Sequence, residues 1–500
     1  MKDIGSRSLT AVFWGAGGAV IRLLLQFGSQ VILARILGPE QYGLFAIGSI
    51  VISFSNFFSD IGIAYGLIQK NDVSPRDIRF VFTWQIILGT LVTIAITFSA
   101  SAIAEFFGDV RATGIVQALA IVCLLNALAA PSLNLLKRKL DFRRIQIAQI
   151  SSFVVGYVLI GIPMALYGTQ AWALVAAWLA QATLFLILAY AATRHPIAPL
   201  LRYEGSRSLS AYGVTVLMTN LVNWLINNVD RVIIGRIFSS REIGLYATTY
   251  NMLYTPTTSL LGIIQPVFFS AASRATHQPD VIAGSYRALI GAVAVFILPA
   301  FVCLGTVSET FVLALYGEKW SDAAPLFRPL ALAMPLFLIW GLTTPLLWTG
   351  GYASREFRVQ LPIALIWLVA CWLAAQYSVL AVCWTVLGLF IVRCLVMVIS
   401  AVRTLKMDAS LLWRSVRGGM IISPALALML FALESVCGRF PAILRLGVDG
   451  LSGSVGLMLL LRLFPDLIGV ELAQLLHRIF DRIPPKIARH LAFLSRPGSI

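Results

Sequence analysis

VILARILGPEQYGLFA (residues 31–46) returns 201 residues later as VIIGRIFSSREIGLYA (residues 232–247). Without a gap the two stretches share Val31/Val232, Ile32/Ile233, Arg35/Arg236, Ile36/Ile237, Gly43/Gly244, Leu44/Leu245 and Ala46/Ala247, which is 7 identities in 16 positions. An arginine and a glycine are among them, so apolar composition alone does not explain the match. The chain therefore carries an internal duplication, and the rest of the fold is read around it.

The duplicated stretches lie in a chain built for lipid. Of its 500 residues 59% are hydrophobic and 12% charged, with mean hydropathy +0.87. A soluble chain carries about 25% charged residues, so this one cannot cover a soluble surface. A crossing helix needs about 20 mostly apolar residues. That criterion predicts spans near 9–34, 43–68, 80–104, 113–136, 146–167, 171–192, 209–235, 243–269, 285–314, 324–349, 359–376, 379–402, 415–436 and 444–464. The first of these is too long for a signal-peptide core and has no small-residue cleavage site, so it reads as a membrane helix.

The net charge of +16 follows topology rather than nucleic-acid binding. With residues at span ends counted with the adjoining loop, the even-numbered loops and both termini hold 27 of the 38 Lys and Arg. The odd-numbered loops hold 8 and the spans 3. The positive-inside rule then puts both termini in the cytoplasm. External loops are short, which leaves no room for an extracytoplasmic catalytic domain, so no enzyme is expected. The six cysteines form no CxxC pair and the four histidines sit in loops or the tail, so no disulfide framework, metal site or cofactor is expected either.

The repeat joins the end of span 1 to the end of span 7. Six spans separate them, an even number, so the halves share one orientation. Such parallel repeats are related by an axis along the membrane normal. The expected fold class is an all-α polytopic membrane protein of about 14 transmembrane helices, with two parallel-repeat six-helix lobes around a central cavity plus two extra helices. The lobes are 1–203 and 204–405, the extra helices fill 406–464, and 465–500 is a cytoplasmic amphipathic tail. In that tail Ile468, Leu472, Leu475, Ile479 and Ile483 form a stripe suited to lying on the membrane surface.

Two polar stripes sit on equivalent faces of spans 1 and 7. In span 1, Gly15, Gly18, Arg22, Gln26 and Ser29 share one arc at 3.6 residues per turn, and in span 7 Asn220, Asn223, Asn227, Asp230 and Arg231 do the same. The offset of 201 places Arg22 on Asn223, Gln26 on Asn227 and Ser29 on Asp230. Polar groups facing lipid are costly, so both stripes are expected to face inward, lining a water-accessible cavity or tying helices together. Asp60 and Arg393, the other ionisable residues at membrane depth, lie near span ends. Arg393 is expected to snorkel, and Asp60 is a candidate for gating or coupling. Prolines at 131, 163, 256, 266, 299, 335, 345, 362 and 424 mark kinks or hinges.

The ordered set ARILGPEQYGLFA (34–46), SDIG (59–62), LLKRKLDFRRI (135–145), GTQAWALV (168–175), NNVDRVIIGR (227–236), IGLYATTYNMLYTP (243–256) and LYGEKWSDAAPLFRPL (315–330) resembles the polysaccharide transporter branch, with its Wzx-type flippases, of the multidrug/oligosaccharidyl-lipid/polysaccharide exporter superfamily. The resemblance implies a flippase in the bacterial cell inner membrane. It would translocate undecaprenyl-pyrophosphate-linked oligosaccharide repeat units for exopolysaccharide, capsule or O-antigen (lipopolysaccharide) biosynthesis. Its partners would be that polyprenyl-pyrophosphate-linked oligosaccharide, membrane lipids, and a polysaccharide polymerase with chain-length machinery. In related flippases cationic residues on the first helices of both lobes line the cavity, which selects Arg22 and Arg231 here.

The physics suits that substrate. Guanidinium groups match phosphate oxygens, Asn and Gln can serve sugar hydroxyls, and Trp14 and Trp224 near the stripes can pack against sugar faces. The candidate substrate-binding residues are thus Arg22, Gln26, Asn223, Asn227, Asp230 and Arg231. Two rivals within the superfamily are a lipid II flippase, with the same chemistry, and a cation-coupled drug antiporter. The antiporter would want a carboxylate in the first lobe's cavity, where span 1 has Arg22 instead.

Overall fold

The computed structural model describes residues 2–60, 64, 67, 70, 72–203, 206–274, 278–349 and 353–480. It describes side chains for the same residues without 2–16, 59–60, 206–220, 270–271, 273–274, 279, 345, 347–349, 353–359, 405 and 479. The chain divides into two compact units, Met1–Thr248 and Thr249–Ile500. Among the described residues there is no strand, and ten helices are long and apolar enough to cross a membrane.

In the first unit helix α1 runs Lys2–Asp60. It is bent at Gly38, whose φ of 76° is open to glycine and costly for other residues. Pro39 follows, and its missing N–H suits the start of a new helical segment. The bend separates the first two expected spans. Next come α2 (Pro75–Phe106), α3 (Ala112–Arg138), α4 (Phe142–Leu166), α5 (Trp172–Thr193) and α6 (Ser206–Ile237). Ser74 and Asp77 form a reciprocal capping box that fixes the start of α2. By its contacts α6 belongs to the first unit, although the duplication makes it the opening helix of the second copy.

Helix α7 (Ser240–Arg274) begins in the first unit and continues in the second. The second unit then holds α8 (Pro279–Ala292, Val293–Ile297 and Leu298–Thr306), α9 (Ser308–Leu315) and α10 (Ala324–Thr349). After these come α11 (Ala353–Ala374), α12 (Val379–Leu405), α13 (Ala409–Cys437), α14 (Ala442–Leu463) and α15 (Val470–Phe480). The expected spans at 209–235, 243–269 and 359–376 fall on α6, α7 and α11.

Two of the expected proline kinks have a specific form. A π-helical turn, Val154–Gly161, precedes Pro163 in α4, and another, Val293–Ile297, precedes Pro299 in α8. Proline cannot donate to the carbonyl four residues back and crowds it, and a widened turn relieves both.

Two expectations are corrected in the second unit. Arg393 does not snorkel. It is fully buried, its guanidinium lies 3.5 Å from the Trp340 ring centroid, and its Nη2 donates to Gln360 Oε1 at 2.5 Å. A planar cation stacked on an indole and bonded to an amide acceptor is held inside the bundle by those contacts. The described start of the tail's stripe is covered by protein: Ile468, and Leu472 with Ala473 of α15, join Val295 of α8, Ile422 and Leu426 of α13 and Leu461 of α14 in one core, while the Ile479 side chain and Ile483 lie outside the described residues. Arg287 of α8 pins α15 through Glu471 at 2.7 Å.

Candidate functional site

The span-1 stripe turns toward α4. A Cβ on Gly18 would stand 2.6 Å from Gln146 Cγ, so the glycine makes room for that glutamine to lie against α1. One turn on, Arg22 Nη1 donates to Gln149 Oε1 at 2.5 Å. Ser29 is buried and donates to the carbonyl of Gln26 at 3.1 Å. Gln146 is buried as well, and its Oε1 has no hydrogen-bond partner. Arg22 is thus met by an amide and by no carboxylate among the described residues. Among the described residues no countercharge meets it, and the amides of Gln146 and Gln149 on α4 flank the stripe.

The span-7 stripe is built differently. Asn227 Nδ2 donates to the carbonyl of Asn223 at 2.7 Å, and Asn228 Nδ2 to that of Trp224 at 3.0 Å, so these side chains fold back on their own helix. Asn227 Oδ1 is left buried without a partner. Asp230 is only 2% exposed and accepts a short hydrogen bond from the Tyr246 hydroxyl, tying α6 to α7. Arg231 beside it is half-buried. Asp60, Trp14, Gly15 and Asn220 have side chains outside the described residues.

Trp224 supplies a contact that spacing alone did not show. Its indole N–H donates to Ser53 Oγ at 2.9 Å and its ring packs on Phe54, centroids 4.8 Å apart. The indole closes one side of an apolar recess of about 470 Å³ with Phe54, Ser55, Ser99, Ile103 and Phe107.

The duplicated motifs meet each other. A Cβ on Gly43 would stand 1.6 Å from the carbonyl oxygen of Ser240, and one on Gly244 would stand 1.8 Å from that of Pro39. Under the offset of 201, Gly43 becomes Gly244 and Pro39 becomes Ser240. The contact is therefore reciprocal, as a two-fold relation requires. Only glycine permits backbones so close. This crossing is the physical reason both copies keep that glycine, which the sequence match revealed without revealing the contact.

Around the crossing lies a polar clasp. Arg111 bonds Asp109 at 2.8 Å and Glu40 at 2.7 Å, Ser240 donates to Asp109, and Gln41 accepts from the Ala171 N–H at 3.2 Å. The Arg111 hydrogen bonds hold the Asp109 carboxyl below the usual carboxylate range, and Asp109 and then Glu40 raise Arg111. At the other end of the unit a second network joins the remaining connections. Lys70 Nζ meets Asp77 at 2.6 Å, Tyr203 donates to the same carboxylate, and Arg79 Nε reaches the Ala198 carbonyl at 3.0 Å. His195 contacts Ser132 Oγ at 3.1 Å, and burial lowers its pKa. Hydrogen bonds between connections join odd with odd and even with even among the described residues of this unit, as a bundle with two separate water-facing ends requires.

Comparison with known proteins bears directly on this architecture. The family described as "Polysaccharide biosynthesis protein" matches residues 32–325, more than half the chain. The chain belongs to this family. Among its relatives is the teichuronic acid biosynthesis protein TuaB of Bacillus subtilis (strain 168), 22% identical over 93% of this chain and 98% of TuaB. The lipopolysaccharide biosynthesis protein WzxC of Escherichia coli (strain K12) is 21% identical over 65% of this chain and 66% of WzxC. The succinoglycan biosynthesis transport protein ExoT of Rhizobium meliloti (strain 1021) is 23% identical over 69% of this chain and 73% of ExoT. The fold of this family member matches that of the lipid II flippase MurJ at TM-score 0.73, with 12% identity over 90% of this chain and 98% of MurJ. It also matches a multidrug resistance MATE transporter in its inward-facing conformation at TM-score 0.63, with 14% identity over 77% of this chain and 94% of that one. The chain is a multi-pass membrane protein with a transporter fold.

Proposed function

We propose that this protein is a flippase that carries polyprenyl-pyrophosphate-linked oligosaccharide repeat units across the bacterial inner membrane, from the cytoplasmic to the outer leaflet. The observation that carries the reading is Arg22. A guanidinium inside a membrane span is costly unless something neutralises it, and the described residues offer it only an amide. A pyrophosphate supplies the missing negative charge, in a geometry that guanidinium binds well. Gln146 and Gln149 beside it, with Gln26 on the same stripe, offer amides to sugar hydroxyls. Family membership and the polysaccharide pathways named for its relatives support the same substrate class.

In this reading Asn223 and Asn227 continue the path on the equivalent face of the second copy, with Arg231 as the second cation and the lobes divided at 203/204. The 27-to-8 charge asymmetry supports cytoplasmic termini. Outward movement of an anion is then assisted by the interior-negative potential, by about 2.3 kcal/mol per charge per 100 mV.

The test is Arg22→Ala in cells and in proteoliposomes loaded with polyprenyl-pyrophosphate oligosaccharide. Export is expected to cease at unchanged membrane abundance, with Arg22→Lys restoring part of it. Normal export by Arg22→Ala would overturn the role of Arg22, and transport of lipid II in preference to the oligosaccharide would overturn the substrate. Single cysteines at Asn223 and Asn227 should react with a small polar thiol reagent in intact membranes, and cysteines at Leu225 and Val229 should not. Equal, low reactivity at all four would move the path elsewhere.

A further inference from the structure

In the second unit α8, α13 and α14 enclose a recess of about 320 Å³ lined by Pro299, Cys303, Leu430, Ser454, Leu457 and Asp449. All but two of these are apolar or nearly so, and Ser454 already donates to the Gly450 carbonyl at 2.8 Å. Asp449 is only 3% exposed, and both of its carboxylate oxygens are buried without a hydrogen-bond partner. An ionised carboxylate so placed lacks a hydrogen-bond donor and a direct ion pair, since the nearby Arg445 is bonded to Glu434, and this is a costly arrangement. Asp449 lies within α14, a helix with the length and hydropathy to cross a membrane.

The donor set decides what the site takes. A metal cation of the oxygen-seeking kind collects six or more oxygens, and this recess offers one carboxylate and a committed hydroxyl. A proton needs one oxygen.

A polar route leads to it. Arg445 sits one turn before Asp449 on α14, and its Nη2 is bonded to Glu434 near the end of α13. Arg445 Nε and Glu434 Oε1 are both buried without partners, so neither group has spent its full bonding capacity. The surroundings hold little else that titrates. The Leu298–Thr306 part of α8 carries no acid or base beyond the Cys303 thiol. Glu309 of α9 is exposed, and Arg462 and Asp466 are exposed at the opposite end of α14.

We propose that Asp449 is a proton-binding site inside the membrane, loaded and unloaded from the end of α14 that carries Arg445 and Glu434. With the proton on, the carboxyl is neutral and matches its apolar pocket. With the proton off, the carboxylate needs Arg445, which reaches it by giving up Glu434. Proton release thereby loosens the α13–α14 contact at that end, and this is how a proton can be linked to movement of the helix pair. Proton binding stands by itself, and only its link to transport rests on the flippase reading.

The carboxyl-specific reagent dicyclohexylcarbodiimide adds to protonated carboxyls in apolar settings, so labelling can be followed by peptide mass spectrometry of the full-length protein in nanodiscs. Labelling at Asp449 is expected to fall about tenfold or more from low to high pH, as titration of a single group requires. Glu434→Gln, which leaves Arg445 for Asp449, should move that fall to lower pH. Asp449→Asn, an isosteric stand-in for the protonated form, should keep wild-type membrane abundance and remove the pH dependence of oligosaccharide transport in proteoliposomes. Labelling that is absent or independent of pH would overturn the site. An Asp449→Asn protein whose transport keeps the wild-type pH profile would overturn the coupling. Labelling as expected in a protein that moves no oligosaccharide would leave the proton site standing and sink the flippase reading.

Discussion

The two ends of the first unit are tied by networks of opposite character. At the end that holds Lys70, Asp77 and Tyr203, the carboxylate is fully buried, and the 194–203 segment is strapped along α2 by bonds donated from Arg79 and Trp84 and one accepted by Thr83 Oγ1 from the Leu200 N–H. At the other end the ion pairs are open to water, with the Arg111 and Glu40 side chains 56% and 51% exposed. The intimate contact there is the backbone crossing at Gly43 and Gly244. Exposed pairs are worth about 0–1 kcal/mol, whereas stripping a buried carboxylate from the groups that donate to it costs about 1–3 kcal/mol, even with Lys70 itself partly exposed. One end is held mainly by a shared buried acceptor, and the other by shape and by exposed contacts that break and re-form cheaply.

The comparison breaks if the buried end proves dispensable. Asp77→Ala should destabilise by roughly 2–3 kcal/mol, since it strips the partly exposed Lys70, Tyr203 and the α2 cap of their common acceptor. Lower membrane abundance and an earlier thermal transition in detergent would register it, and wild-type melting would refute it. Gly43→Val comes next. Its side chain must displace the Ser240 carbonyl, costing about 1–3 kcal/mol by overpacking, but only in the state where the turns cross. Export should suffer more than abundance, the reverse of Asp77→Ala, and a loss of abundance equal to that of Asp77→Ala would remove the distinction.

Acidity sharpens the contrast, because the two ends titrate in different pH windows. Burial holds His195 below its ordinary value of 6.5. As pH falls through that value the unfolded chain takes up a proton that the folded chain refuses. Stability therefore declines below about pH 6.5 and levels off once His195 itself protonates. Asp109 has the same sign in a lower pH window. Its carboxyl is depressed, so its contribution is complete above the ordinary carboxylate range and is lost only as pH drops through the depressed value. Between pH 7.5 and 5.5, hydrogen exchange should rise in the 194–203 segment and stay level at 107–111, and His195→Gln should abolish the rise. The smallest effect is expected for Arg111→Ala, within about 1 kcal/mol and shrinking further with added salt. A melting shift as large as that of Asp77→Ala would show that the exposed clasp bears real load.

Much of this architecture could be read from the residues. Hydropathy marked the helices, and the 201-residue offset marked equivalent faces. The inward orientation of Gly18, Arg22 and Ser29 followed from helical spacing. What escaped was everything that depends on which helix lies opposite. Nothing in the spacing showed that Arg22 would meet Gln149, that Trp224 would bond Ser53, or that Asp230 would turn to Tyr246. Arg393 lies within reach of an interface along its own helix, and only the packing of Trp340 and Gln360 around it shows why it remains inside. Asp449 does not stand out in the sequence, because a sequence does not display an unfilled bonding requirement.

The glycine crossing has a genetic corollary. Most damaging core substitutions can be rescued by trimming the side chain they strike. Here the struck atoms are the carbonyl oxygens of Ser240 and Pro39, which every amino acid carries and no codon change can shorten. A selection for suppressors of Gly43→Val should therefore return no replacement at the facing residues. Revertants would map to the helices that set the spacing of the two turns, or would restore the glycine itself.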